Sequence, residues 1–126
     1  MTPKFRAWDK ESQTMIDVSL IDFKKRVLVG EHWKFGETNF INFDEVELMQ
    51  STGLKDKNGE EIFEGDIVDY KGRKAVIKWH GSYASFIYRF VDELKERVSE
   101  WHPLFLAYYH FEVIGNIYEN KELLDV

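Results

Sequence analysis

Gln50-Ser51-Thr52-Gly53-Leu54-Lys55-Asp56-Lys57-Asn58-Gly59-Glu60-Glu61-Ile62-Phe63-Glu64-Gly65-Asp66-Ile67-Val68 places two turn signals and two strand signals in one short stretch. Asn58-Gly59 is the favoured central pair of a type I′ hairpin turn, because both residues tolerate positive φ. Residues 54–57 and 60–63 are then the flanking strands. Gly65-Asp66 opens the next strand, Ile67-Val68-Asp69-Tyr70, and Asp66 sits where a carboxylate accepts turn amides.

Downstream, the same grammar repeats. Lys71-Gly72-Arg73 turns the chain into Ala75-Val76-Ile77-Lys78-Trp79-His80, with Ala75, Ile77 and Trp79 on one face. Gly81-Ser82 turns it back into Phe86-Ile87-Tyr88-Arg89-Phe90, with Phe86, Tyr88 and Phe90 aligned. Short strands at this spacing, joined by tight turns, argue for a small antiparallel barrel in residues 50–126. Val91-Asp92-Glu93-Leu94-Lys95-Glu96-Arg97-Val98-Ser99-Glu100-Trp101 breaks the pattern. Its Leu94, Val98 and Trp101 continue a helical stripe from Phe90, and Pro103 disfavours continuation, which predicts a helical insertion of about three turns near 91–102. Phe111-Glu112-Val113-Ile114-Gly115-Asn116-Ile117-Tyr118 reads as a closing strand.

Upstream, Phe5-Arg6-Ala7-Trp8, Thr14-Met15-Ile16, Val18-Ser19-Leu20-Ile21, Val27-Leu28-Val29, Phe40-Ile41-Asn42-Phe43 and Val46-Glu47-Leu48-Met49 are short apolar runs separated by polar turns. Residues 1–49 therefore form a β-rich region whose pairing order the sequence leaves open. The overall class is mainly β with a minor helical element. Aromatic residues at 16% (10 Phe, 6 Tyr and 4 Trp) favour strands.

Three blocks of this chain resemble the phage YopX family. They are Lys4-Phe5-Arg6-Ala7-Trp8-Asp9, the block from Gln50 to Val68, and Phe111-Glu112-Val113-Ile114-Gly115-Asn116-Ile117-Tyr118-Glu119-Asn120. Residues 17–45 match nothing in that pattern, and residues 92–110 have the look of a variable insertion. The resemblance implies a phage or prophage protein of unestablished function, with a variable β-rich N-terminal region and an SH3-like barrel in its C-terminal half. It supplies no catalytic residues. Its signature positions here are Trp8, Gly53, Asn58, Gly59, Gly65, Asp66, Gly115 and Asn116, and shaping the backbone accounts for them.

The chemistry-bearing residues form no recognisable constellation. Asp56, Glu64 and Asp66 would need to converge to act as an acid/base pair or hold magnesium, and residues 56–61 lack the ligand spacing of a calcium loop. His32, His80, His102 and His110 have no metal-ligand spacing, and nucleophile-elbow, dinucleotide and Walker motifs are absent. No catalytic, metal or cofactor site is expected, and the expectation is a non-enzyme. The chain has no cysteine, so disulfides and thiol chemistry are excluded. No apolar run is long enough to form a membrane span or a signal peptide, which suggests the cytoplasm of a bacterial host cell.

Two clusters read as interaction surfaces. Arg6 and Trp8 share one face of a strand, where a guanidinium can stack on an indole, either capping the core or meeting a partner. Leu104-Phe105-Leu106-Ala107-Tyr108-Tyr109-His110-Phe111 has too few polar residues for a strand wetted on one side. It is either covered by its own chain or meets another subunit, through Phe105, Tyr108 and Tyr109. The leading expectation is a protein-interaction module that binds a second copy or a host or phage protein. The alternative is a nucleic-acid-binding barrel that gathers Lys71, Arg73, Lys74, Lys78 and Arg89 on one side. A net charge of −6, split evenly between residues 1–63 and 64–126, opposes it.

Overall fold

The computed structural model describes residues 4–33, 38–95 and 101–125. The chain divides into two compact units, residues 1–51 and 52–126, with the division falling inside one long strand.

The first unit is built from β1 (Phe5–Asp9), β2 (Thr14–Asp22), β3 (Val27–His32), β4 (Thr38–Asn42) and the start of β5 (Val46–Lys55). All neighbours are antiparallel, in the order β4-β3-β2-β1-β5. The two runs read separately at 14–16 and 18–21 are one strand, β2, bent by a register shift between Val18 and Leu20. Alternation sets the faces beyond that shift. Ile21, Leu28 and Ile41 lie opposite one another in register, and they pack with Ala7, Ile16 and Val46 as the core of this unit. Leu20, Val29 and Phe40 form the matching row on the other face.

In the second unit the end of β5 pairs with β6 (Glu61–Phe63). A five-stranded antiparallel sheet follows, in the order β10-β9-β8-β7-β11, from β7 (Asp66–Tyr70), β8 (Arg73–His80), β9 (Ser85–Phe90), β10 (His102–Pro103) and β11 (Glu112–Asn116). Both faces of this sheet are used. Val68, Ala75, Ile77 and Phe90 pack with Ile62, Leu104 and Phe111 on one side. Ile67 and Val76 pack with Val91, Leu94 and Ile117 on the other. Among the described residues the sheet has edges at β10 and β11 and is not a closed barrel.

Three local expectations are corrected. Gly59 has φ 84°, but Asn58 does not join it at positive φ, so the turn is not type I′. The Asp56 side chain takes the amides of Asn58 and Glu60 and sets a different turn, closed by Gly59 N–H to the Asp56 carbonyl at 3.0 Å. The described helix, α1, is Val91–Lys95 only; residues 96–100 lie outside the described residues and Trp101 is not helical. The run from Leu104 onward is two 3-10 turns, Leu104–Leu106 and Tyr108–His110, rather than a strand.

Candidate functional site

The signature residues form structural joints. The Asp56 carboxylate is buried and accepts three amides: Oδ1 from Asn58 at 2.9 Å and Glu60 at 2.8 Å, and Oδ2 from Val113 of β11 at 2.8 Å. Lys57 N–H donates to the Phe111 carbonyl at 2.9 Å, so the β5–β6 turn is fixed to the strand from both sides. Asp66, 1% exposed, accepts the Phe63 amide at 2.8 Å. Gly65, at φ 86°, donates to Ile77 and accepts from Ile117 while turning β6 into β7. Asn116 is buried and accepts the amides of Tyr118 and Glu119 through its side-chain oxygen. A side chain at Gly115 would place its Cβ 2.5 Å from Asn120 Oδ1, the atom that accepts the Asn116 amide. Gly53, at φ 77°, likewise adopts a conformation that side chains disfavour.

Asp56 through both oxygens, and Asp66 through Oδ2, act as backbone acceptors. No group of three metal-ligating side chains gathers among the described residues. The histidines are dispersed. His32 bonds Asp9 at 2.9 Å, and His80 packs against Tyr83 and Trp101. His102 stacks on Tyr88, and His110 lies against Tyr109. Partial burial pushes the Asp9 carboxyl up, but hydrogen bonds from His32, Ser12 and Glu11 outweigh it and hold the group below the usual carboxylate range. Burial, reinforced by Tyr70 and Glu93, raises the Tyr88 phenol.

One feature with the shape of a binding site is an apolar groove of about 330 Å³ in the second unit. Trp79 and Phe86 face each other across β8 and β9, with ring centroids 5.0 Å apart at 68°. Leu54, Leu104 and Phe105 complete the apolar wall, and Thr52 and Ser85 add hydroxyls. The groove continues the core: Leu104 belongs to it, and Leu54 and Phe86 pack against it. Trp79 is nevertheless 46% exposed and Phe105 58% exposed. Thr52 already donates to the Ile62 carbonyl at 2.7 Å, so its hydroxyl is committed to the fold.

Of the residues expected to meet partners, Phe105 lines this groove, Tyr109 is exposed and Tyr108 packs against the core. Arg6 and Trp8 are buried in the first unit, at 8% and 6% exposure, so neither presents an open stacking surface. The basic set divides. Register puts Lys74, Lys78 and Arg89 on the face of Val76. Arg73 lies on the opposite face, stacked 3.6 Å from the Phe90 centroid and paired with Asp92 and Glu93, while Lys71 lies over Tyr70. Sequence alternation put Trp79 and Phe86 on apolar faces. Nothing in it marked them as groove walls, because the rest of the wall comes from Leu54, Leu104 and Phe105, which lie far away in the sequence.

Comparison with curated proteins gives no match. Among solved structures, the crystal structure of protein EF1440 from Enterococcus faecalis is similar, with 31% sequence identity, 99% of each chain covered and a TM-score of 0.63. The family model described as YopX protein matches residues 4–125, which include the Gln50–Val68 block and the Gly115-Asn116 joint. The chain belongs to the YopX family.

Proposed function

We propose that this YopX-family protein is a non-enzymatic protein-interaction module of phage or prophage origin, acting in the cytoplasm of a bacterial host cell. Its docking surface is the groove walled by Trp79, Phe86 and Phe105. The observation that carries this reading is the exposure of large aromatic rings on the rim of a groove continuous with the core. Such an arrangement costs solubility, and partner binding gives a reason for it. The described polar signature residues fit the same reading, because their hydrogen bonds hold strands in place. The second unit then serves as an opened variant of an SH3-like barrel, with Asp56 bridging the β5–β6 turn to β11. No helix among the described residues is long and apolar enough to cross a membrane.

The test is capture from lysate of phage-bearing host cells, with the full chain immobilised beside a Trp79→Ser/Phe105→Ser variant. A host or phage protein held by the native surface and reduced about tenfold by the variant supports the proposal, since central aromatic anchors carry most of the binding energy. Equal capture by both proteins counts against the groove, and no capture counts against the module. The nucleic-acid alternative rests on Lys74, Lys78 and Arg89 sharing one strand face. Titration with single- and double-stranded oligonucleotides at low salt is expected to give no binding, and salt-dependent binding would favour that alternative.

A further inference from the structure

We propose that β4 is a self-pairing edge through which two copies of this chain join antiparallel along Thr38–Asn42, with Phe40 opposite its counterpart near the two-fold axis. Among the described residues β4 is the terminal strand of its sheet and pairs only with β3. An edge strand offers a row of backbone donors and acceptors. Monomeric proteins blunt such edges with charge, proline or a bulge. This edge carries none of these: Thr38-Asn39-Phe40-Ile41-Asn42 has no charged residue and no proline in a chain that is 32% charged, and its register with β3 runs unbroken.

The side chains favour a second copy as occupant. Ile41 is turned into the core, and Phe40 points the other way and is 84% exposed. Phe40 ends a row that runs Leu20, Val29, Phe40 across three strands in register. Antiparallel pairing about a two-fold axis at Phe40 keeps paired side chains on the same face. It therefore continues that row directly into its own image: Leu20, Val29 and Phe40 of one copy, then Phe40, Val29 and Leu20 of the other. Every cross-strand pair made this way is neutral, so the self-complementary pairing that a two-fold interface demands carries no like-charge penalty. The short contact lies at the small end of specific interfaces, so association is concentration-dependent.

Sedimentation equilibrium of the full chain, from about 1 μM to about 500 μM, tests this over the range where a weak pair converts from monomer to dimer. The native chain is expected to show a monomer–dimer equilibrium. Phe40→Lys and Phe40→Glu, each checked by circular dichroism for native folding, are each expected to weaken it at least about tenfold, because like charges then oppose each other across the axis. An equimolar mixture of the two variants is expected to dimerise again, since the introduced lysine then faces the introduced glutamate. The Trp79→Ser/Phe105→Ser variant is expected to dimerise like the native chain, which separates this edge from the groove. A native chain that stays monomeric throughout, a dimer indifferent to both substitutions, or a mixture no tighter than its components would each overturn the proposal.

Discussion

Asp56 concentrates three backbone amides from two segments on one buried carboxylate, so its loss is expected to be costly. Asp56→Ala leaves the amides of Asn58, Glu60 and Val113 without an acceptor. Each unsatisfied buried donor costs about 1–3 kcal/mol and partial rewetting reduces the sum, so a loss of about 3 kcal/mol is expected in urea denaturation. Asp56→Asn keeps one acceptor oxygen and is expected to lose less. Gly65 makes a second single-residue prediction. At φ 86°, Gly65→Ala forces a left-handed conformation at a cost of about 1–2 kcal/mol, read in the same assay. The Asp9–His32 contact supplies a pH dependence. The folded-state pKa of Asp9 lies below its ordinary value, so the contribution is complete above the ordinary carboxylate range and disappears as pH falls through the lowered value. Asp9→Asn is expected to flatten that part of the acid limb of a stability–pH curve, and an unchanged acid limb would show that the contact is energetically silent.

At the scale of elements, Arg73 ties β8 to α1. Its guanidinium lies over Phe90 and bonds Asp92 at 2.9 Å and Glu93 at 3.4 Å; Asp92 raises the Arg73 pKa and is itself held below the usual carboxylate range. Arg73 and Asp92 are each about half exposed, so the ionic part of their pairing is screened and the stacking is the more durable part. Arg73→Ala is expected to lower the denaturation midpoint more at low salt than in about 1 M salt, where screening is nearly complete. Arg73→Lys is expected to recover little, because an ammonium has neither the planar fork nor the stacking face. The strands of this sheet on either side of the arginine's own were legible in the sequence. Residues 66–70, 73–80 and 85–90 alternate cleanly between glycine- and serine-marked turns, so both their existence and their facing residues follow from the period of two. The elements that escaped reading lack a period or depend on tertiary partners. Leu104–His110 alternates with neither strand nor helix spacing because it is two 3-10 turns that bury Leu104 and leave Phe105 outside. The turn type at Asn58-Gly59 was decided by a carboxylate at Asp56 rather than by the pair itself. The register shifts at Ser19 and Ile114 leave no compositional mark.

Across the whole molecule, the aromatic surplus divides into rings that hold the fold and rings the fold leaves outside, and this division is what the candidate groove depends on. Phe111 is fully buried, with Tyr70 and Tyr88 packed edge-on against it, and Ile77 is buried in the same cluster. Trp79 is only one strand alternation from Ile77, yet it and Phe105 spend about half their surface in water. Burial energetics then separate structure from recognition. Phe111→Ala removes a filled core volume and is expected to cost about 3–5 kcal/mol. Trp79→Ser and Phe105→Ser remove surface that is already half wetted, and each is expected to cost less than about 1.5 kcal/mol. If the groove serves only as loosely packed core, the three substitutions should fall on one line when stability is plotted against partner capture. If it is a docking surface, the Trp79 and Phe105 variants should keep near-native stability while losing capture. The Phe111 variant should lose capture only in proportion to the fraction unfolded, measured by denaturant titration at the temperature of the capture experiment.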